Sequence, residues 1–149
     1  MHGHGQKKQR ADKTLVLAGN PNVGKSVIFG ALTGRYATVS NYPGTTVEVS
    51  RGIARFAGMD VSVVDSPGVN SLVPMSEDER VTRDIFLNDD VTTVVQIIDA
   101  KNLRRGLLVT VQLVEMGLPV TLALNMYDEA GERGISIELD ELTRLTGLN

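Results

Sequence analysis

Apolar runs and segments of helical periodicity alternate along most of this chain. Residues 15–18 form a continuous apolar run within a predicted strand at 14–18, and runs rich in aliphatic or β-branched residues recur at 92–98 and 120–124. Uninterrupted runs of this kind are typical of strands that are buried on both faces of a parallel sheet. An apolar-rich segment at 27–33 and helically spaced leucines and valines at 103–114 lie between them. The pattern predicts a three-layer α/β domain with a mostly parallel sheet.

One pair of neighbouring segments breaks this alternation. Residues 47–56 alternate in part between apolar and polar side chains, and 61–64 form a second short apolar run. The turn at 58–59 is too short for a crossover connection, so we predict one antiparallel hairpin. The preceding segment, 35–46, is rich in Ser, Asn, Pro, Gly and Thr. That composition predicts a loop.

Two further helices are indicated by their ends and their apolar faces. Ser76 followed three residues later by Glu79 predicts a capping box at the start of a helix over 76–88. A last short helix is predicted at 138–146. The acidic side chains of the first of these helices are interpreted as a solvated face, because acids favour a helix start and pair with neighbouring arginines. We therefore do not interpret them as an iron site.

Composition narrows the class of protein. The chain has 149 residues, a formal net charge of −3 and no cysteine. Disulfides and thiolate metal sites are excluded, and nucleic acid is not expected as a partner. No apolar run approaches the roughly 20 residues of a membrane-spanning helix, so we expect a soluble segment. Residues 1–13 are interpreted as a flexible basic leader; His2 and His4 within it could form a metal tract, but we assign them no function.

The most informative motif follows the first predicted strand. Residues 19–26, Gly-Asn-Pro-Asn-Val-Gly-Lys-Ser, fit the phosphate-binding pattern and precede an apolar helix. Glycines let backbone N–H groups converge on phosphate oxygens, and the helix N-terminus adds positive potential. We expect Lys25 to reach the outer phosphates and Ser26 to bind Mg²⁺. The alternative is a glycine-rich turn that carries a lysine by chance.

Two more motifs each follow a predicted strand, so all three would lie at one edge of the sheet. In Asp65-Ser66-Pro67-Gly68, the acid can hold Mg²⁺ through a water and Gly68 can offer its N–H to a terminal phosphate. In Asn125-Met126-Tyr127-Asp128, the Asp128 carboxylate can accept both N1–H and the exocyclic amine of guanine. Adenine has no such donor pair. Either motif alone would be weak.

The loop at 41–46 completes the pattern, because a threonine there can close over the nucleotide and ligate Mg²⁺. The alternative for either threonine is capping at the start of a strand. Four motifs in this order predict a GTPase domain. Two other functions stay open: a broader NTPase that hydrolyses both GTP and ATP, and a nucleotide sensor that does not hydrolyse.

Beyond these motifs, the chain resembles the N-terminal G domain of the ferrous-iron transport protein B (FeoB) family. The similar stretches are 19–26, 41–48, 76–84, 99–103, 112–113 and 123–130. The resemblance implies a Ras-like P-loop NTPase fold over 14–149. It further implies that the last strand and helix of the family's domain, and the Ser-Ala loop there that packs on guanine, are not included. It also implies GTP, GDP, Mg²⁺ and K⁺ as ligands. The implied partner is a transmembrane ferrous-iron transporter, which places the domain at the cytoplasmic face of the prokaryotic inner membrane; a homo-oligomer is left open.

The resemblance also implies individual roles. Thr46, rather than Thr45, would ligate Mg²⁺, and Asn22 would hold K⁺ together with backbone carbonyls of 42–44. Such a cation would neutralise transition-state charge where other GTPases use an arginine. Val69 stands where Ras-type enzymes have a water-orienting glutamine, and an apolar side chain cannot polarise water. We therefore expect slow intrinsic hydrolysis that depends on backbone groups and the bound cation.

The expected site residues fall into three groups. The catalytic group is Lys25, Thr46 and Gly68. The nucleotide-binding group is Asn20, Asn22, Val23, Gly24, Lys25, Ser26, Val27, Asn125, Met126 and Asp128. The metal group is Ser26, Thr46 and Asp65 for Mg²⁺ and Asn22 for K⁺.

Overall fold

The computed structural model describes residues 13–34 and 36–149. The predicted leader, including both histidines, lies outside these residues except for Lys13. In chain order, the elements are β1 (Thr14–Gly19), α1 (Lys25–Thr33), β2 (Ala37–Asn41), β3 (Glu48–Phe56), β4 (Met59–Asp65), α2 (Glu77–Asn88), β5 (Thr93–Asp99), a 3₁₀ turn (Ala100–Asn102), α3 (Leu103–Glu115), β6 (Val120–Asn125), α4 (Tyr127–Glu132) and α5 (Leu139–Thr146). Of the helices in this part of the chain, none has the length and apolar character needed to cross a bilayer.

The six strands form a single sheet in the order β2-β3-β4-β1-β5-β6. Strand β1 runs parallel to both β4 and β5, and β6 runs parallel to β5. Side chains alternate across the sheet: Val16 and Leu17 of β1 are both 0% exposed, yet they join different apolar clusters. The cluster of Val16 includes side chains of α2 and α3, whereas that of Leu17 includes Phe29 of α1. The predicted three-layer, mostly parallel fold is confirmed.

The sheet contains one more antiparallel pair than the sequence predicts. The predicted hairpin is β3–β4, and β2 pairs antiparallel with the other edge of β3. The prediction of a loop over the whole of 35–46 is therefore wrong for Ala37–Asn41. This strand is at the edge of the sheet and almost entirely exposed, so its polar side chains need no apolar alternation. Backbone pairing with the nine-residue β3 is enough to order it.

The start of α2 agrees with the sequence, whereas α4 was not predicted. Ser76 Oγ accepts from the Glu79 N–H at 3.3 Å, and Glu79 Oε2 accepts from the Ser76 N–H at 3.0 Å. The predicted capping box is thus confirmed. Helix α4 has only six residues, includes Gly131 and follows the left-handed Met126. A segment this short carries no detectable apolar periodicity.

Gly30 occupies an exposed position inside α1, and a Cβ added there would meet nothing within 4 Å. We expect Gly30→Ala to stabilise the protein by about 0.5–1 kcal/mol, because alanine loses less backbone entropy in a helix. Urea unfolding monitored by circular dichroism measures this change. An unchanged or lower midpoint would contradict the prediction.

Candidate nucleotide-binding site

The predicted motifs converge because their strands are parallel. Gly19, Asp65, Asp99 and Asn125 are the last residues of β1, β4, β5 and β6. The register places Asp65 beside Leu17 and Asp99 beside Asn125. The carboxyl ends of the four strands therefore meet at one edge of the sheet, where ligands bind in open α/β sheets.

The glycine loop between β1 and α1 borders a cavity of about 470 Å³. The cavity is lined by Asn20, Pro21, Asn22, Gly24, Lys25, Ser26, Val27, Gly68 and Asp78. Asn22 and Gly24 both adopt positive φ, 63° and 87°. A Cβ on Gly24 would also overlap with Asn125 Nδ2. Glycine is therefore needed at this position for two reasons: the positive φ and the close approach of the Asn125 side chain.

Lys25 and Ser26 both contact the carboxylate of Asp65. Lys25 Nζ donates to Asp65 Oδ1 at 2.6 Å, and Ser26 Oγ donates to Asp65 Oδ2 at 3.2 Å. Lys25 and Asp65 are both buried. Hydroxyl and carboxylate oxygens are the ligands that Mg²⁺ prefers, so this pair fits the cation that the sequence implies. The lysine stands beside them as the compensating positive charge.

Gly68 packs directly against the phosphate loop. A Cβ on Gly68 would lie 2.8 Å from Pro21 Cα and 3.0 Å from Pro21 N. The next residue, Val69, donates its N–H to the Gly19 carbonyl at 3.1 Å, and its side chain is buried in the core cluster of α2 and α3. Val69 therefore does not present its side chain to the cavity. This placement agrees with the expectation that no side chain at this position orients water.

Asn20 lines the cavity, and its side-chain amide also contacts the segment after Gly68. Its side chain is 2% exposed, and its Nδ2 donates to the Val69 carbonyl at 3.1 Å and to Asn70 Oδ1 at 3.3 Å. Arg105 of α3 donates to the same Asn70 oxygen. Sequence analysis missed these pairings, because residues some 50 positions apart show no common pattern. The Asn20 side chain thus connects the phosphate loop to the segment that directly follows the Asp65–Gly68 motif.

Asn125 plays a similar connecting role on the other side. Its Nδ2 donates to the Val23 carbonyl at 3.0 Å, which fixes the end of β6 to the phosphate loop. Met126 is left-handed, with φ 57°, and begins α4. Asp128 lies in the first turn of α4 and is exposed, so its carboxylate is accessible to a base.

Lys101 lies beneath this loop, and sequence analysis gave it no role. Its Nζ donates to Glu129 Oε2 at 2.6 Å, lies 3.3 Å from Asp99 Oδ1 and contacts Met126 Sδ at 3.0 Å. The hydrogen bond that Lys101 donates to Glu129 is the main cause that raises the pKa of Lys101 above its usual value. The group is therefore a cation at neutral pH.

The loop at 41–46 lies apart from the residues that line the cavity. The Thr45 hydroxyl donates to the Tyr42 carbonyl at 2.9 Å and accepts from the Val47 N–H at 3.1 Å. Thr45 is therefore engaged in its own turn, as the capping alternative suggests. Thr46 is exposed, and its N–H donates to Glu77 Oε1 at 3.3 Å. The structure does not bring Thr46, or carbonyls of 42–44, to the cavity, whereas Asp78 of α2 lines it without having been predicted.

Comparisons with a family model, with relatives and with solved structures all point to the same family. The family model described as ferrous iron transport protein B matches residues 13–149. The Fe(2+) transporter FeoB of Staphylococcus aureus strain COL is 41% identical over 128 residues, which are 86% of this chain and 19% of the transporter. The chain thus spans about a fifth of the length of this relative.

Two solved structures show the same fold. The FeoB G-domain from Methanococcus jannaschii is 42% identical, with a TM-score of 0.80, and the match covers 92% of this chain and 82% of that one. The cytosolic domain of T. maritima FeoB in its GMPPNP form is 38% identical, with a TM-score of 0.87, covering 91% and 54%. On the family match and on this shared architecture, the chain belongs to the ferrous iron transport protein B family and has the fold of its P-loop G domain.

Proposed function

We propose that this domain binds GTP and hydrolyses it to GDP with Mg²⁺. The observation that carries the proposal is the convergence of Lys25 and Ser26 on Asp65 below the glycine loop, while Asn125 fixes the base-reading loop to that same glycine loop. This edge of the sheet thus has a lysine, oxygen atoms of the kind that Mg²⁺ prefers, and an exposed carboxylate, Asp128, that can accept hydrogen bonds. The GMPPNP form of the T. maritima relative supports a guanine nucleotide as the ligand.

Each residue of the phosphate end has a distinct proposed role. Lys25 binds the outer phosphates, and the Gly68 N–H binds the terminal phosphate without a side chain in the way. Ser26 and Asp65 would hold Mg²⁺, and Thr46 would be a further ligand if the loop at 41–46 closed over the nucleotide. When bound, Mg²⁺ neutralises charge that develops on the phosphates. Hydrolysis proceeds by attack of water on the γ-phosphate through a loose transition state.

The base is read at the other end of the site. Asp128 accepts the two guanine donors, Asn125 and Met126 position its loop, and the backbone of the glycine loop surrounds the phosphates. The proposed nucleotide-binding group is otherwise Asn20, Asn22, Val23, Gly24 and Val27, with Asn20 acting through Val69 and Asn70.

The test is turnover of GTP, ATP and xanthosine triphosphate by the wild type and Asp128→Ala. We expect kcat/KM for GTP to fall about 10- to 100-fold, because hydrogen bonds to a charged acceptor are lost, while ATP turnover changes little. Asp140→Ala is the matched control, since Asp140 is also an exposed acid in the first turn of a helix, α5. We expect it to match the wild type.

Two outcomes would favour the other functions. Equal kcat/KM for GTP and ATP in the wild type would indicate a broader NTPase. Full nucleotide occupancy without turnover would indicate a sensor that does not hydrolyse.

We also propose that K⁺ stimulates hydrolysis through Asn22. Asn22 is exposed and lines the cavity. Among the described residues, the other expected K⁺ ligands, the carbonyls of 42–44, do not line it. No catalytic step is therefore assigned to this cation. We expect turnover in K⁺ to exceed that in Na⁺ by at least about 10-fold, and Asn22→Gly, which tolerates positive φ, to remove the difference. Equal wild-type rates in both salts would contradict the proposal.

In the whole protein, we propose that this GTPase regulates ferrous-iron uptake by an attached transmembrane transporter. Its support is the Fe(2+) transporter from S. aureus, of which the chain matches 19%. The domain would then lie at the cytoplasmic face of the prokaryotic inner membrane.

A further inference from the structure

The Lys101 side chain is unusually well enclosed for a lysine that is not part of the phosphate loop. It is only 14% exposed, and it lies between the end of β5 and the start of α4. Two carboxylates, from Asp99 and Glu129, lie within 3.3 Å of its Nζ. The Lys101 ammonium links the end of β5 to α4. Backbone pairing does not connect these two elements, because α4 lies outside the sheet.

The same ammonium also contacts the loop that reads the base. Met126 Sδ lies 3.0 Å from Lys101 Nζ, and Met126 Cε approaches the position that a Cβ on Gly24 would occupy, at 4.0 Å. The Met126 side chain therefore lies between Lys101 and the glycine loop. On the other side of the chain, Asn125 is bound to the Val23 carbonyl. The loop that leads to Asp128 is thus held from two directions.

Removal of the cation would leave Asp99 and Glu129 close together without compensation. Two carboxylates that share one binding position repel each other when the cation between them is removed. Glu129 is adjacent to Asp128 in the first turn of α4. Displacement of that turn would move the carboxylate that accepts the guanine donors. Because the Glu129 side chain is 53% exposed, its ion pair with Lys101 adds little to the folding free energy, and the effect should appear in base recognition more than in stability.

We propose that Lys101 is a positioning residue for guanine recognition. Through Glu129 and Met126 it holds the segment 125–129, which ends β6 and begins α4, so that Asp128 faces the base. This inference rests on the proposed function, because it specifies how the base end of that site is held. Lys101 itself does not contact the nucleotide.

The experiment measures affinity and dissociation rate for GDP and IDP with the wild-type chain and Lys101→Met, which keeps a long side chain without the charge. IDP lacks the exocyclic amine, so the ratio of the two dissociation constants reports how well Asp128 is aligned. We expect Lys101→Met to release GDP about 5-fold faster and to reduce the IDP-to-GDP ratio. Combining it with Glu129→Gln should cause no further loss, because both changes break the same link and the second also removes the charge that Asp99 would repel. The matched control is Arg55→Met, which breaks an ion pair with Asp60 at the far end of β3 and β4.

The outcomes separate this inference from the function on which it rests. A wild-type chain that does not bind GDP overturns both. A wild type that binds GDP, with unchanged release and ratio in Lys101→Met, overturns the inference alone. A lower melting temperature with an unchanged ratio also overturns it, since that result indicates a purely structural role. If Lys101→Met does not fold, Glu129→Gln keeps the side-chain shape and carries the same expectations.

Discussion

Lys25→Met is expected to lower GTP turnover by at least about 100-fold, the usual loss when one preorganised donor to a developing anion is removed. Lys25 begins α1 beneath the glycine loop, and its Nζ is held 2.6 Å from Asp65 Oδ1 at the cavity. Steady-state phosphate release measures the effect. The matched control is Lys13→Met, since Lys13 is exposed and precedes β1. Turnover equal to that of the wild type would contradict the assigned role of Lys25.

Stability must be measured with this variant, because Lys25 and Asp65 form a buried pair. Removal of one partner leaves an uncompensated carboxylate, which typically costs about 3–5 kcal/mol. Lys25→Met with Asp65→Asn removes both charges and should recover most of that loss in urea unfolding. Recovered stability with turnover still lost would show that this pair is needed for catalysis, through Lys25 at the phosphates and Asp65 at Mg²⁺, and not only for the fold.

Gly68→Ala is expected to lower turnover by about 10- to 100-fold, because even small misplacement of reacting groups is costly. The added Cβ would lie 2.8 Å from Pro21 Cα, and backbone cannot rotate away as a flexible side chain can. Either the phosphate loop or the segment at Gly68 must therefore move. Turnover and nucleotide affinity measure the result together.

Gly30→Ala is the matched control for this variant, since it adds the same methyl group where nothing lies within 4 Å. It should retain wild-type turnover. If Gly68→Ala also keeps full turnover and affinity, the close packing of Gly68 on Pro21 has no functional importance.

The convergence of the motifs at the candidate site could be predicted from sequence because each motif directly follows a buried parallel strand. Apolar continuity in β1, β5 and β6 identified the strands, and parallel pairing brought Gly19, Asp65 and Asn125 to one edge. Local signals of this kind suffice when the chemistry lies at the end of a strand. The capping box at Ser76 was predictable for the same reason, since it needs only residues three positions apart.

Contacts between distant segments could not be predicted. The pairings of Asn20 with Val69 and of Lys101 with Glu129 depend on how strand ends are arranged in space, and no periodicity encodes them. Strand β2 was missed because an exposed edge strand needs no apolar side chains. Asp78 was interpreted as part of a solvated helix face, and only the tertiary structure places it at the cavity.

The reciprocal hydrogen bonds between Ser76 and Glu79 cap the first turn of α2 with its own side chains, so the cap does not depend on contacts with other segments. The hydrogen bond of this turn with the loop at 41–46 is the exposed one from the Thr46 N–H to Glu77, which can break at little cost. Loop 42–46 can therefore rearrange while α2 stays wound. In hydrogen–deuterium exchange, the protection of the Thr46 amide should change with nucleotide occupancy. The amides of α2 from Arg80 onward should exchange slowly whether or not nucleotide is bound.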